Sequence, residues 1–367
     1  MECVVLAEID PWGSASVTDY GHVFKEFGLR PFPKASASFL NHFLFGRGII
    51  IAHRDFEKVA KCIESKKPFV NITGIASSGP YHFGHKVDVD LFRFFKSKGA
   101  KNFFAVSDLD AFLSRPDSKI PDLATAKKWA VKNVADLLAF GLDEEDIYVQ
   151  SNRKNKRYYE FAFELSKKIT KNTFEAVYGH VDLGKVAANF LQYADILHPQ
   201  LLEFEGPMPS ITGIGLDQDP HARLTRDIAK RLPYKLEVPS FIYFMHQSGL
   251  QPGSKMSASH PETAVFMSDS PKDAEKKIKR AFSGGQPTIE EHRQKGGNLE
   301  IDLVFEMLKF HYPNTKELER IGKEFSSGKM LASELKQFAI DFFVPLLKGH
   351  QEKASENMKK AEKIVYG

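Results

Sequence analysis

Phe69-Val70-Asn71-Ile72-Thr73-Gly74-Ile75-Ala76-Ser77-Ser78-Gly79-Pro80-Tyr81-His82-Phe83-Gly84-His85 opens on an apolar run and closes on two histidines three residues apart. The first four residues predict a strand and Thr73–Gly79 a loop of small residues. Val87, Leu91, Phe92 and Phe95 beyond them predict a helix. Such a strand, loop and helix N-terminus present unpaired backbone N–H groups and the positive end of a helix dipole to a bound anion. His82 and His85 share one side of the first turn, where each can donate a hydrogen bond to phosphate, and Gly84 lets a flat ring lie against the backbone. One histidine there reads as well as a helix cap. Two in this setting favour a nucleotide.

Outward from this stretch, strands and helices alternate as a parallel α/β sheet requires. The apolar runs predict strands at 69–72, 102–106, 146–149, 210–214 and 240–244, with a further one at Ile49–Ala52. Ligands of such sheets bind at the carboxyl ends of the strands, near the point where strand order reverses. The last strand leads into Gln251-Pro252-Gly253-Ser254-Lys255-Met256-Ser257-Ala258-Ser259. A lone lysine among serines is ordinarily solvated loop, but here the two loops follow the first and last strands and can hold one nucleotide between them. Gly213 and Gly215, in Gly213-Ile214-Gly215-Leu216-Asp217-Gln218, fit either a close backbone approach to a ligand or turn geometry. On the predicted helix Val186–Leu197, Gln192 and Asp195 share a face apart from the core residues Phe190, Leu191, Ala194 and Leu197. Such a polar stripe is usually turned to solvent.

A chain of 367 residues implies two domains or slightly more. With 42% hydrophobic and 27% charged residues it reads as globular, and a net charge of +4 permits RNA binding without arguing for it. Cys3 and Cys62 alone support neither a disulfide framework nor a four-cysteine zinc site, which suits reducing cytosol. No apolar run reaches the ~18–20 residues of a membrane span, and the acidic N-terminus does not resemble a targeting signal. A soluble, cytoplasmic protein is expected. The stretch from about 110 to 205 interrupts the alternation and reads as mostly helical. Past Pro271 the chain is predominantly helical, with a basic cluster at Lys276, Lys277, Lys279 and Arg280 and a helix from Leu331 to Leu347 ended by Gly349.

The His82-Phe83-Gly84-His85 and Lys255-Met256-Ser257-Ala258-Ser259 pair resembles the two signatures of the class I aminoacyl-tRNA synthetases. Further blocks, Asp217-Gln218-Asp219-Pro220, Ala281-Phe282-Ser283-Gly284-Gly285 and Thr288-Ile289-Glu290-Glu291-His292-Arg293, are similar to the tryptophanyl-tRNA synthetases of the archaeal and eukaryotic branch. The resemblance runs from about Asp10 to the C-terminus. It implies a segment 1–68 packed on a Rossmann-like catalytic domain, 69–262, with a dimerising helical insertion at about 110–205, and an all-helical anticodon-binding domain, 263–367. It also implies ATP-dependent activation of tryptophan to the adenylate, transfer to tRNA(Trp), a homodimer, and Mg²⁺ that arrives with ATP and needs no metal site of its own. The insertion leaves no room for an editing domain.

By the same resemblance, His82 and His85 meet the phosphates and adenosine above Gly84, and Lys255 meets the departing pyrophosphate, with Met256, Ser257 and Ser259 on the same ATP loop. Gly215 and Asp217 border the ribose and Gln218 the substrate ammonium. Ile72, Gly74, Gln192 and Asp195 line the amino acid pocket, where Asp195 accepts the indole N–H. Arg47 or His53-Arg54 reaches the nucleotide from the leading segment. The chain departs from its branch where tyrosine, glutamine and glutamate are common: those positions hold Ile72, Ala105 and Asp110. Ile72 disfavours tyrosine as substrate, since tyrosine-specific relatives place a tyrosine there. Three other readings remain at this stage. They are a tyrosyl-tRNA synthetase, a catalytically weak RNA-binding or regulatory paralogue, and a small-molecule nucleotidyltransferase, which leaves the long C-terminal region unexplained.

Overall fold

Five parallel strands, in the order β7-β6-β3-β4-β5, make the spine of the sheet, and two antiparallel strands extend it beyond β7 as β1-β2-β7. The computed structural model describes residues 24, 27–32, 40–254, 256 and 260–367. Cys3, the Asp10–Gly13 break, Lys255, Ser257, Ala258 and Ser259 lie outside them. The first half contains β1 (Arg30–Pro31), α1 (Phe43–Gly46), β2 (Ile50–Arg54), α2 (Phe56–Ser65), β3 (Val70–Ala76), α3 (Phe83–Ser97), β4 (Lys101–Ser107), α4 (Asp108–Ser114), α5 (Leu123–Ala139) and β5 (Ile147–Val149). Then come α6 (Arg157–Ser166), α7 (Lys171–Tyr178), α8 (Leu183–Leu197), β6 (Ser210–Gly215), α9 (Asp219–Arg231) and β7 (Ser240–Phe244). The rest is helical: α10 (Pro271–Arg280), α11 (Ile289–Lys295), α12 (Leu303–His311), α13 (Thr315–Ser326) and α14 (Ala332–Tyr366).

Each predicted strand is found, and the leading one joins the same sheet with the short β1 added at its edge; β3, however, runs on through Thr73–Ala76, read as loop, because β4 pairs with it as far as Ser107. What the patterning does not give is its direction: β2 runs antiparallel to β7, pairing His53 with Ile242. From β3 the chain winds one way through β4 to β5 and the other way through β6 to β7. The reversal falls between β3 and β6, which locates the crevice.

Both faces are covered. Val87, Leu91 and Phe95 of α3 pack with Ile211 and Ile242 on one face. Phe104, Val106 and Val149 join a core that runs through Ala130, Val134 and Leu137 of α5 to Ala339, Phe343 and Val365 of α14. The opposite face carries Ile72, Ala105 and Tyr148, beneath α8. The C-terminal helix does not stop before Gly349. It continues to Tyr366 through Pro345 and Gly349, since a helical glycine costs only about 1 kcal/mol and the continuation gains packing from Ala361 and Val365. His350 also pairs with Asp136 of α5 at 2.8 Å.

The two arginines expected to reach a nucleotide are engaged elsewhere. Arg47 donates to the Lys309 carbonyl (2.8 Å) and to Thr315 Oγ1 (2.9 Å), which ties the leading segment to the C-terminal helices. Arg54 lies forked on buried Asp219, with both contacts at 2.9 Å, and Tyr243 donates to the same carboxylate at 2.6 Å. Buried His53 only caps the following turn. Among the described residues, no helix is long and apolar enough to cross a membrane.

Candidate functional site

Two joined cavities open at the carboxyl ends of β3 and β6, where the strand order reverses. The inner one, about 250 Å³, lies between the sheet and α8; the outer one, about 460 Å³, lies over the loop that precedes α3. They share Ile75, Ala76, His85 and Arg115. The expected residues Ile72, Gly74, Gln192, Asp195, Gly215 and Gln218 all line the inner cavity, with His85 at the junction. His82 and Met256 line the outer one with Gly79, Pro80, Lys119 and Trp129. The polar stripe of α8 therefore faces a cavity rather than solvent.

His82 and His85 stack at 3.7 Å between ring centroids, inclined by 21°. The His82 backbone N–H donates to His85 Nδ1 (3.3 Å), so the neutral His85 ring carries its proton on Nε2. Burial holds both rings neutral, His85 with its pKa lowered to about 4 and His82 well below its ordinary value. In this form each can donate a hydrogen bond but carries no charge. His82 Nδ1 is buried with no hydrogen-bond partner in the structure. Gly84 is required by this stack: a Cβ there would stand 2.9 Å from His82 Nδ1 and 3.5 Å from Met256 Sδ. The flat ring against its backbone is the protein's own imidazole.

The other glycines resolve in the same way. A Cβ on Gly213 would meet Leu91 Cδ2 at 2.6 Å, so this glycine lets α3 pack close while its backbone lines the inner cavity. A Cβ on Gly215 would meet His246 Cε1 at 2.4 Å and Asp217 Oδ1 at 2.6 Å. Asp217 itself contacts His246 Nε2 at 2.6 Å and accepts from Gln218 Nε2 at 3.2 Å, and it lines neither cavity. Gly74 lets β3 and β4 close up, since its Cβ would stand 2.7 Å from that of Ala105.

Asp195 is the most heavily supported side chain of the inner cavity. Tyr148 and Tyr158 both donate to its Oδ1 at 2.7 Å, and Gln150 Nε2 donates to Oδ2 at 2.7 Å. Burial outweighs these donors and pushes its carboxyl up to about 6. Gln150 is fixed in turn, because its Oε1 accepts from the Asp110 backbone N–H at 3.0 Å. Behind Tyr148 lies the Arg153 guanidinium, 4.2 Å from the ring centroid. Arg153 also contacts His198 Nε2 at 2.8 Å, while His198 Nδ1 faces the Ala194 and Asp195 carbonyls, which fixes the neutral tautomer. Burial lowers His198 to about 3, helped by Arg153.

The folded state therefore binds a proton at His198 less readily than the unfolded chain does at about 6.5. Stability from this group is present above pH 6.5 and is lost as pH falls toward 3. The buried carboxyls respond in the opposite sense, so the readout is a comparison. The drop in urea midpoint from pH 7 to pH 5 should be smaller in His198→Asn than in the wild type, and equal drops would contradict a neutral, buried His198.

Sequence reasoning passed over Asp88, Arg115, Asn189, Thr212 and His221, all of which line the inner cavity. Asp88 had a signal, lying one turn beyond His85 on the same helix. Asn189 likewise lies three residues before Gln192. Asn189 Nδ2 and Thr212 Oγ1 are buried without a hydrogen-bond partner in the structure. Unpaired polar atoms in a cavity wall are expensive unless a polar ligand or water meets them. Lys255, Ser257 and Ser259 fall outside the described residues; Met256, between them, is buried against the stretch that begins α3.

The chain matches the family of class I tRNA synthetases for W and Y over residues 64–348. It is 37% identical to the tryptophan–tRNA ligase of Methanocaldococcus jannaschii, covering 99% of each chain, and 37% identical to that of Aeropyrum pernix, covering 97% of each. Its structure is similar to the crystal structure of the tryptophanyl-tRNA synthetase of Aeropyrum pernix K1, with a TM-score of 0.86 over 97% of this chain and 98% of the other.

Proposed function

The chain belongs to the class I tRNA synthetases of tryptophan and tyrosine, and from that premise we infer that it activates tryptophan with ATP and transfers it to tRNA. Its activity is the ligation of tryptophan to tRNA in two steps. A tryptophan carboxylate oxygen attacks the α-phosphorus of ATP, and the bond to the β-phosphate breaks with its electron pair leaving on pyrophosphate. A terminal ribose hydroxyl of tRNA then attacks the carbonyl carbon, forming the ester as the bond to the phosphate oxygen breaks and AMP leaves with its electron pair. No protein nucleophile is needed; positioning and charge stabilisation supply the rate.

The observation that carries this reading is the pair of joined cavities at the strand reversal, one closed by a buried acceptor and the other built over a helix N-terminus. In the inner cavity Asp195 accepts the indole N–H, with Ile72 and Gly74 beneath the ring and Gln192 and Gln218 at the ammonium end. His82 and His85 meet the nucleotide in the outer cavity, with Gly84 giving room for their stack; Gly215 on the inner wall and Asp217 behind it border the ribose, and Lys255, Met256, Ser257 and Ser259 close on the phosphates. Mg²⁺ arrives on the triphosphate, whose own oxygens hold it. A second copy of the chain pairs through the insertion, a reading supported by Phe163, Leu183 and Leu202, which are 77%, 82% and 84% exposed there. The helical segment 263–367 takes the anticodon, in the cytoplasm where tRNA is charged.

Pyrophosphate exchange into ATP, with tryptophan, tyrosine and phenylalanine supplied separately, tests the activation step. Exchange with tryptophan alone is expected. Exchange with tyrosine would overturn the pocket assignment and keep the chemistry, and silence with all three would leave an RNA-binding paralogue.

A further inference from the structure

We propose that Arg115 grips the α-phosphate of ATP at the junction of the two cavities and stabilises it while the amino acid carboxylate attacks. The proposal deepens the activation reading and rests on it. Arg115 is one of the four residues common to both cavity walls, so its side chain stands where an amino acid in one chamber and a triphosphate in the other must meet.

Its placement follows from local chemistry. A residue before proline is pushed away from helical backbone angles unless a long packed helix holds it there. Pro116 therefore ends α4 at Ser114, and Arg115 turns into extended conformation with ψ 149°. Its Nε is buried with no hydrogen-bond partner in the structure, and no ion pair to it is found among the described residues. Asp110, whose carboxyl feels the Arg115 charge, takes its side-chain hydrogen bond from Ser114 Oγ at 2.8 Å instead. An arginine held this way is poised for an anion that the protein does not supply.

The charge inventory of the walls points to the same group. The stacked histidines are neutral, and the lining carboxyls Asp88, Asp110 and Asp195 are acidic. Arg115 and Lys119 are the cationic residues lining the cavities among the described residues. At the transition state the carboxylate–phosphorus bond forms as the bond to pyrophosphate breaks, and charge sits on the non-bridging α-oxygens. A planar guanidinium can donate to two of those oxygens at once, which an ammonium cannot.

The test is pyrophosphate exchange and tryptophan binding by calorimetry in Arg115→Gln and Arg115→Lys of the full chain. Turnover should fall about 10²-fold in the glutamine variant, with tryptophan affinity unchanged and the urea midpoint preserved. Lysine should recover part of the loss by restoring charge without the fork. Wild-type turnover in both variants would overturn the proposal and leave the activation reading intact, and so would a loss confined to tryptophan affinity. A wild-type chain that exchanges with no amino acid would remove the reading and the proposal together.

Discussion

Replacing Lys255 by alanine should lower turnover in tryptophan-dependent pyrophosphate exchange by about 10²–10³-fold, with a much smaller change in ATP affinity. The asymmetry follows from where charge develops. The β- and γ-phosphates carry most of their charge in the ground state, but the bridging oxygen gains its extra charge only as the bond to the α-phosphorus breaks. A cation aimed at that oxygen binds the transition state better than the substrate, and its loss therefore shows in kcat rather than in KM. The flanking residues show how such a loop is anchored. Gly253 turns the chain with φ 71°, Ser254 Oγ donates to the Gln251 carbonyl at 2.6 Å, and Met256 is buried against Gly84. Met256 thus packs on the helix N-terminus that carries the histidines, and a mobile loop through it would bring the adjacent lysine to the same phosphates. Steady-state exchange over a matrix of ATP concentrations separates the two parameters. Equal losses in kcat and ATP affinity, or none in either, would take Lys255 out of this role.

The histidine stretch was legible because every link in it is local. Strand, turn and helix start are set by residues within ~15 positions of one another, but the end of the strand is set by its pairing with β4, which carries it to Ala76. The five parallel strands were legible for the same reason, since buried strands read as apolar runs whatever their neighbours. Strand direction at the edge was not, because β2 pairs with β7 across almost two hundred residues and nothing in Ile50–Arg54 encodes that partner. Charged residues misled in both directions. Arg47 and Arg54 looked available for a nucleotide, but their partners Lys309, Thr315 and Asp219 are distant in sequence. Nothing in the sequence singles out Arg115, and only the folded cavity shows that its buried Nε lacks a hydrogen-bond partner. Gln192 and Asp195 fall between these cases. Spacing put them on one face, but whether that face met solvent or a cavity depended on Tyr148, Gln150 and Tyr158 converging on one carboxylate.

That convergence makes Asp195 the position where stability and specificity can be separated by the choice of replacement. Asp195→Ala strands two tyrosine hydroxyls and the Gln150 amide in a buried site, and a loss of about 3–5 kcal/mol is expected, as for breaking a buried charged network. Denaturant melts of the variant check this, and a loss below about 1 kcal/mol would mean that the three donors find other partners. Asp195→Asn keeps the shape and an acceptor for the tyrosines. It sets an NH₂ against Gln150 Nε2, and Gln150 cannot turn over without giving up the Asp110 N–H. A carboxylate has about four lone-pair positions, and three are filled here by protein donors. The fourth, on Oδ2, is the one an indole N–H can take from the inner cavity. Hydrogen bonds to a charged group contribute about 1.5–3 kcal/mol, so the asparagine variant should lose about 10–100-fold in kcat/KM for tryptophan. The wild type should also bind tryptophan more tightly as pH rises through about 6, where this carboxyl ionises, because an N–H donor favours the charged acceptor. The asparagine variant should lose that pH dependence. Full tryptophan efficiency in Asp195→Asn, with the same pH profile as the wild type, would move the indole contact to another residue of the cavity.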